Sequence, residues 1–234
     1  MSPVIIGIIL ARIDSSRLPG KVMHSVQDTP LIGYVIERAK AIPGLSNIVL
    51  ATTNRSIDDP LATYAQAQNI AVYRGSTQNV AFRVLQCAKI HQCDYFVRLN
   101  GDSPFLDPEL IGEGITYCFQ KRVDMITNLV GRTYPYGVSV EIIRTATFEQ
   151  TYYQLENQEE REHVTPYFYR NLEQFAVHTL TLSPPYKGKE RLVVDTFDDM
   201  KKFEQVVQHL GKKVFNIKFQ EAVKLYQTLS GEMP

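Results

Sequence analysis

The stretch Ala11-Arg12-Ile13-Asp14-Ser15-Ser16-Arg17-Leu18-Pro19-Gly20-Lys21 packs three cations, two hydroxyls and a glycine into eleven residues. Guanidinium and ammonium groups bring charge and donors to phosphate oxygens, and glycine lets the backbone approach them closely. The chemistry suited to such a loop is phosphate binding. Neither common glycine-rich phosphate motif is present: there is no G-x-x-x-x-G-K-[ST] and no G-x-G-x-x-G. Two carboxylates have complementary chemistry. Asp102 lies in Asn100-Gly101-Asp102-Ser103-Pro104, and Asp195 in Leu192-Val193-Val194-Asp195-Thr196. Mg²⁺ takes one or two protein carboxylates and completes its octahedron with water and phosphate oxygens, so the pair is a candidate metal site. The plainer alternatives are solvated surface cations, an Asp turn after Gly101, and an N-cap for a helix beginning near Phe197. The last task suits Thr196 better than Asp195.

The elements that must position these groups follow from the order of patterns. Residues 3–10 form a continuous apolar run, as a strand buried on both faces would. The cationic loop leaves this run directly. Helices are predicted at 31–40, 58–68, 78–92 and 107–119, and strands at 47–52, 70–74, 94–99 and 123–127. Pro30, Pro60 and Pro108 open three of these helices, where the missing N–H costs little. Strands alternating with helices imply an α/β, doubly wound, mostly parallel sheet with helices on both faces, and ligands at the carboxyl ends of the strands. Beyond about residue 130 the alternation changes. Strands are expected at 136–143, 175–182 (exposed and antiparallel) and 191–195. Helices are expected at 145–155, 160–172 and 197–210, with a last one from 216 onward. The 234 residues read as one domain, 1–234, with a lid or dimerisation excursion at 130–190.

The cationic loop closely resembles the A-R-x-x-S-x-R-L-P-G-K signature of the sugar cytidylyltransferases, which include the synthetases that activate 3-deoxy-manno-octulosonate and the acylneuraminates, and most closely the spore coat polysaccharide biosynthesis protein F branch. Five further segments resemble that family in order. They are Ala51-Thr52-Thr53, Arg74-Gly75-Ser76, Arg98-Leu99-Asn100-Gly101-Asp102-Ser103-Pro104, Arg161-Glu162-His163-Val164-Thr165-Pro166 and Val194-Asp195-Thr196. The resemblance implies a nucleotide-diphospho-sugar transferase-like, Rossmann-like fold. It implies transfer of CMP from CTP to a sugar or sugar acid, with Mg²⁺ as cofactor and release of pyrophosphate. Arg12, Arg17, Lys21 and Asp102 become the expected catalytic residues. Leu10, Ala11, Arg12, Ser16, Arg17, Lys21, Ala51, Thr52, Arg74, Gly75, Ser76 and Arg83 are expected at the nucleotide, largely through backbone groups around the base. Tyr136, Glu141 and His163 are expected at the acceptor, and Asp102 and Asp195 at the metal. For His163 a hydrogen-bonded core role competes with the sugar-side one, and Arg161 and Glu162 could form a structural ion pair. The family's habit also implies a homodimer through 130–190.

Departures from the family pattern concern the acceptor more than the chemistry. Asp14-Ser15-Ser16 replaces its Gly-Ser segment, the Asp before Arg83 is Phe82, and T-Y-P-D-G-x-D-x-E becomes Thr133-Tyr134-Pro135-Tyr136-Gly137-Val138-Ser139-Val140-Glu141. Two other readings stay open: a nucleotidyltransferase with another base or a sugar 1-phosphate acceptor, and a nucleotide-sugar binding module without turnover. Composition narrows the remaining classes. With 25 basic and 25 acidic residues there is no excess charge for a dominant nucleic-acid surface. No run approaches the ~18 apolar residues of a membrane span. Cys87, Cys93 and Cys118 are irregularly spaced, as small structural thiols of a reducing compartment are, so a cytoplasmic location is expected.

Overall fold

The computed structural model describes residues 2–229. Its sheet is built outward from β1 (Ile5–Leu10), whose odd and even residues feed two separate cores. Ile5 and Ile9 face one side, and Ile6 and Ile8 the other. Burial on both faces is why this strand reads as an uninterrupted apolar run. A two-residue hairpin, β2 (Ser25–Val26) with β3 (Thr29–Pro30), precedes α1 (Leu31–Lys40). Then come β4 (Asn47–Thr53), α2 (Asp59–Ala67), β5 (Ala71–Gly75), α3 (Val80–Ile90), β6 (Tyr95–Asn100), α4 (Pro108–Gln120) and β7 (Met125–Thr127). After these lie β8 (Glu141–Arg144), α5 (Thr145–Tyr152), α6 (Gln158–His163), α7 (Pro166–Arg170), β9 (Val177–Thr179), α8 (Phe197–Leu210) and α9 (Phe219–Leu229).

The strand order is β5-β4-β1-β6-β8-β7-β9. Pairing is parallel through β5, β4, β1 and β6, and again between β7 and β9; β8 alone runs against its neighbours β6 and β7. One core lies under α1, α4, α8 and α9, the other under α3 and α5. The expected doubly wound, mostly parallel α/β architecture is therefore what the chain adopts. Within 130–190, β8 and β9 belong to the main sheet, and α5 and α6 pack on α3.

Several expected elements differ. The strand expected at 136–143 enters the ladder only at Glu141, because the side chain of Asn128 serves its first half: Nδ2 donates to Val138 O (2.9 Å) and Oδ1 accepts from Val140 N (2.8 Å). The helix expected at 160–172 breaks at Val164, whose φ is +71°, and restarts at Pro166. The turn is made by Val164 itself, while Thr165 stays in the helical region, and Pro166 fits the first turn of the restarted helix, where its missing N–H costs little. The strand expected at 175–182 shrinks to β9 and is parallel to β7; one-sided exposure gives alternation without fixing direction. Residues 191–195 form no ladder. An isolated bridge pairs Tyr136 with Arg191, and all of Leu192, Val193 and Val194 are buried, so packing wrote the strand-like pattern.

All three cysteines are buried thiols. Burial pushes Cys87 and Cys118 up to about 12 and Cys93 up to about 11, which keeps them protonated and inert. No helix among the described residues is long and apolar enough to cross a membrane.

Candidate active site

The cationic loop leaves the carboxyl end of β1 and is tied down at its start by a carboxylate. Ile13 N donates to Asp58 Oδ1 (2.7 Å), and Thr53 Oγ1 donates to Asp58 Oδ2. Asp58 is fully buried, so it joins β1, the end of β4 and the loop in one hydrogen-bonded knot. Gly20 N closes the loop onto Ile13 O at 2.8 Å. Asp14, a departure from the family pattern, does not point a lone charge at phosphate: it pairs with Arg12 (3.5 Å) and with Arg55.

Lys21 is the centre of the arrangement. Its side chain is 7% exposed, and Nζ donates to Asp102 Oδ2 (2.7 Å), Val194 O (2.9 Å) and Asp195 Oδ1 (3.0 Å). Gly101 makes the approach of Asp102 feasible, since a Cβ at that position would lie 2.7 Å from Ala11 Cβ. Asp195 is brought in by backbone contacts: Leu192 N donates to Tyr136 O (2.7 Å) and Val194 N to Asp102 O (2.9 Å). Arg17 Nη2 (2.9 Å) and Arg191 Nη2 (3.3 Å) also reach Asp195. Thr196, as its position implied, caps α8 through Asp199 N (3.2 Å) in a capping box. Asp195 thus stands outside the cap and inside the cluster, although it ends no ladder strand.

A cavity of about 310 Å³ opens over this cluster, lined by Leu10, Ala11, Arg12, Ser16, Arg17, Lys21, Arg83, Asp102 and His163, all expected at the site. Ser15, Val80, Arg98, Asn100 and Glu162 are also in its wall. Arg83 is nearly fully buried; burial, with Arg12 nearby, lowers its guanidinium to about 10, and Nη1 donates to Ser76 O at 2.9 Å. Ala51, Thr52, Arg74, Gly75 and Ser76 do not line this wall. The Arg74 side chain turns away from it, to Thr53 O (2.9 Å), Arg55 O (2.7 Å) and Asp59. The five residues expected around the base thus stand outside the cavity wall, with Ala51, Thr52, Arg74 and Gly75 held in the β4–β5 ladder.

A second cavity of about 370 Å³ adjoins the first and shares Leu10, Arg17, Arg98, Asn100, Asp102 and His163 with it. Its own wall holds Tyr136 and Glu141. Glu141 is buried and ion-paired with Arg98; it also accepts from the Tyr169 hydroxyl (2.8 Å), whose pKa burial drives well above the usual phenol value. His163 ends α6, is exposed and lines both cavities, so it is not a core histidine. Arg161 and Glu162 do not pair with each other. On a helix, side chains one position apart diverge. Arg161 reaches Leu155 O (3.3 Å), and Glu162 reaches Arg12 (3.4 Å).

The donor set suits a hard divalent cation. Two carboxylates converge within 3.0 Å of one ammonium, and among the described residues no cluster of three or more His, Cys, Asp or Glu forms a self-sufficient metal cage. Mg²⁺ needs only one or two carboxylates when phosphate oxygens and water complete its shell.

A cationic loop at a parallel sheet's carboxyl edge, beside paired carboxylates and a two-lobed cavity, is the layout of a nucleotidyl-transfer site. The sequence profile of the family described as cytidylyltransferase matches residues 6–229. The chain belongs to the cytidylyltransferase family. This cytidylyltransferase is 28% identical over 220 residues to the spore coat polysaccharide biosynthesis protein SpsF of Bacillus subtilis, a match covering 89% of this chain and 88% of that one. It is 30% identical over 154 residues to the 3-deoxy-manno-octulosonate cytidylyltransferase of Oleidesulfovibrio alaskensis, covering 63% and 61% of the two chains. The structure of a cytidylyltransferase from Leptospira borgpetersenii superposes with a TM-score of 0.88 at 27% identity, covering 99% of this chain and 96% of that one.

Residues of the cytidylyltransferase site that were not singled out for it by sequence include Asp58, Arg98, Arg132, Glu162, Tyr169 and Arg191. Asp58 was legible only as a helix start, because a carboxylate before Pro60 usually caps. Its side chain instead serves the loop, and no cap hydrogen bond forms. Glu162 stood beside His163 in a recognised motif, but its partner Arg12 is 150 positions away.

Proposed function

We propose that this cytidylyltransferase transfers CMP from CTP to a sugar or sugar acid, releasing pyrophosphate, in the synthesis of a surface polysaccharide or related glycoconjugate. One observation carries this reading: the loop-side cavity and the Tyr136–Glu141 cavity are separate lobes that meet at Arg17, Asn100 and Asp102. A reaction between two bound molecules needs such a junction. The likeness to the 3-deoxy-manno-octulosonate cytidylyltransferase of Oleidesulfovibrio alaskensis supports a sugar acid as acceptor.

In this reading Arg12, Ser16, Arg17 and Lys21 hold the triphosphate by charge-assisted hydrogen bonds. Backbone groups of Leu10, Ala11, Ala51, Thr52, Arg74, Gly75 and Ser76 hold the base, and Arg83 braces Ser76 from behind. An acceptor hydroxyl oxygen forms the new bond to the α-phosphorus while the bond to the bridging oxygen breaks. Pyrophosphate leaves with that oxygen and the hydroxyl proton passes to solvent. The protein's work is placement and charge neutralisation, which supply most of the acceleration in such transfers. Asp102 and Asp195 would hold Mg²⁺, which supplies charge neutralisation at the attacked phosphate. When phosphate arrives, Lys21 and Arg17 exchange carboxylate partners for phosphate oxygens, leaving both aspartates open to the cation. Tyr136, Glu141 and His163 face the acceptor. The exposed Tyr153 and Phe82, beside Tyr152, support a homodimer contact within and around 130–190; light scattering that gives only 26.7 kDa at micromolar concentration rejects it.

The test is pyrophosphate release and thermal stabilisation with each of CTP, GTP, UTP and ATP, against a panel of 2-keto sugar acids and sugar phosphates. CTP is expected to stabilise most and to turn over only with a divalent cation. Asp102→Asn and Asp195→Asn should lose turnover while remaining folded. Stabilisation by CTP no greater than by the other triphosphates, or turnover that survives EDTA, refutes the reading.

A further inference from the structure

We propose that Arg132, seated on Tyr136, binds an anionic group, carboxylate or phosphate, carried by the acceptor. This rests on the assignment of the second lobe to the acceptor. Five cations lie in or directly against that lobe: Arg17, Lys21, Arg98, Arg132 and Arg191. Three carboxylates answer them. Arg17, Lys21 and Arg191 converge on Asp195, Lys21 also on Asp102, and Arg98 pairs with Glu141. Arg132 has no carboxylate of the described residues within ion-pair distance. Its guanidinium lies 5.1 Å from the centre of the Tyr136 ring, and Arg191 lies 4.2 Å from the same ring. A cation near an aromatic face is attracted by the ring quadrupole, which leaves the guanidinium N–H donors free to bind a ligand.

The seat is built, not incidental. Gly137 has φ +99°, and a Cβ there would fall 2.4 Å from the Leu192 carbonyl carbon. This close backbone contact lets Tyr136 bridge to Arg191, which brings both guanidiniums against one ring. Arg132 lines the acceptor lobe and not the loop-side lobe, so its charge is directed at the acceptor and not at the triphosphate. Planar guanidinium recognition is strongest for carboxylate and phosphate oxygens.

The experiment compares a 2-keto sugar acid with its methyl ester, and a sugar phosphate with its unphosphorylated parent, each with CTP and Mg²⁺. The anionic member of a pair is expected to be used at least tenfold better in kcat/KM, and which pair responds tells carboxylate from phosphate. Arg132→Gln should raise the KM of the anionic acceptor about 10- to 100-fold, the range of a charge-assisted hydrogen bond, with CTP affinity changed less than twofold. Arg132→Lys should recover part of the loss. A second measurement does not need turnover: NMR titration of the CMP-loaded protein with acetate and with inorganic phosphate, where Arg132→Gln should weaken binding at least tenfold. Equal use of the neutral acceptors, or equal anion binding by the wild type and Arg132→Gln, overturns the proposal. No pyrophosphate with any acceptor, while the probe anions bind the wild type and not Arg132→Gln, defeats the transfer reading and leaves the Arg132 site standing.

Discussion

Replacing Lys21 with methionine keeps the length of the side chain and removes its charge. In the structure that ammonium makes three hydrogen bonds, two to carboxylates and one to Val194 O. Stripping one partner from a fully buried ion pair costs about 3–5 kcal/mol. Two facts lower that figure here. Arg17 and Arg191 still neutralise Asp195, and a quarter of the Asp102 side chain remains in water. What is left uncompensated is mainly Val194 O and part of Asp102, for which about 2 kcal/mol is expected. In a domain of this size that lowers the melting temperature by about 4–8 °C. Because the lost cation stood between two carboxylates, millimolar Mg²⁺ should restore stability to Lys21→Met and do less for wild type. In Lys21→Met/Asp102→Asn the Mg²⁺ effect should vanish. Differential scanning fluorimetry across a Mg²⁺ series reads all three variants, and the affinity for CTP, measured in parallel, should fall at least tenfold. Lys21→Met that melts with wild type and binds CTP unchanged would refute both the clamp and the phosphate role.

Gly137→Ala should destabilise by about 3 kcal/mol, since it combines a positive-φ site with a Cβ placed inside the Leu192 backbone; it should also raise acceptor KM by moving Tyr136 and Arg191. Wild-type stability in urea would argue that the 191–195 segment is not held there. Arg38→Met removes donors to Leu106 O (2.8 Å), Val214 O (3.1 Å), Phe215 O (3.1 Å) and Ile217 O (2.9 Å) in a buried setting, so a loss of about 3 kcal/mol is expected in urea unfolding with CTP affinity unchanged. A drop in CTP affinity matched to the stability loss would show that this clasp and the site are coupled.

The site was legible in sequence where chemistry sat at the end of a strong apolar run. β1 and β6 are such runs, and in a parallel sheet their carboxyl ends share one edge, so the placing of the cationic loop and Asp102 at one cleft followed from pattern, although the Lys21–Asp102 ion pair itself did not. Asp195 was legible as a motif, but its strand was not a strand: a continuous apolar run buried by packing and one buried in a ladder look alike in one dimension. Most of the contacts that escaped have a partner far along the chain. Asp58 to Ile13, Arg12 to Glu162 and Arg132 to Tyr136 with Arg191 carry no local signature, because the residues on either side are ordinary loop or helix residues. The break at Val164 was in view through Pro166, but the surrounding helical composition masked it.

The Arg38 clasp also bears on the order in which the protein is made. The guanidinium belongs to the first long helix, whereas three of its four carbonyl partners are emitted from the ribosome some 176 to 179 residues later. A growing chain can form β1, β4 and β6 and seat α1 against them well before those carbonyls exist. Until then a charged group that burial disfavours must stay hydrated at the helix surface. That face of the first core therefore stays unsealed during synthesis, and its closing is a late event that follows the emergence of residues 214–217. Ribosome-stalled chains ending before that segment should remain open to protease near α1, and chains that include it should not.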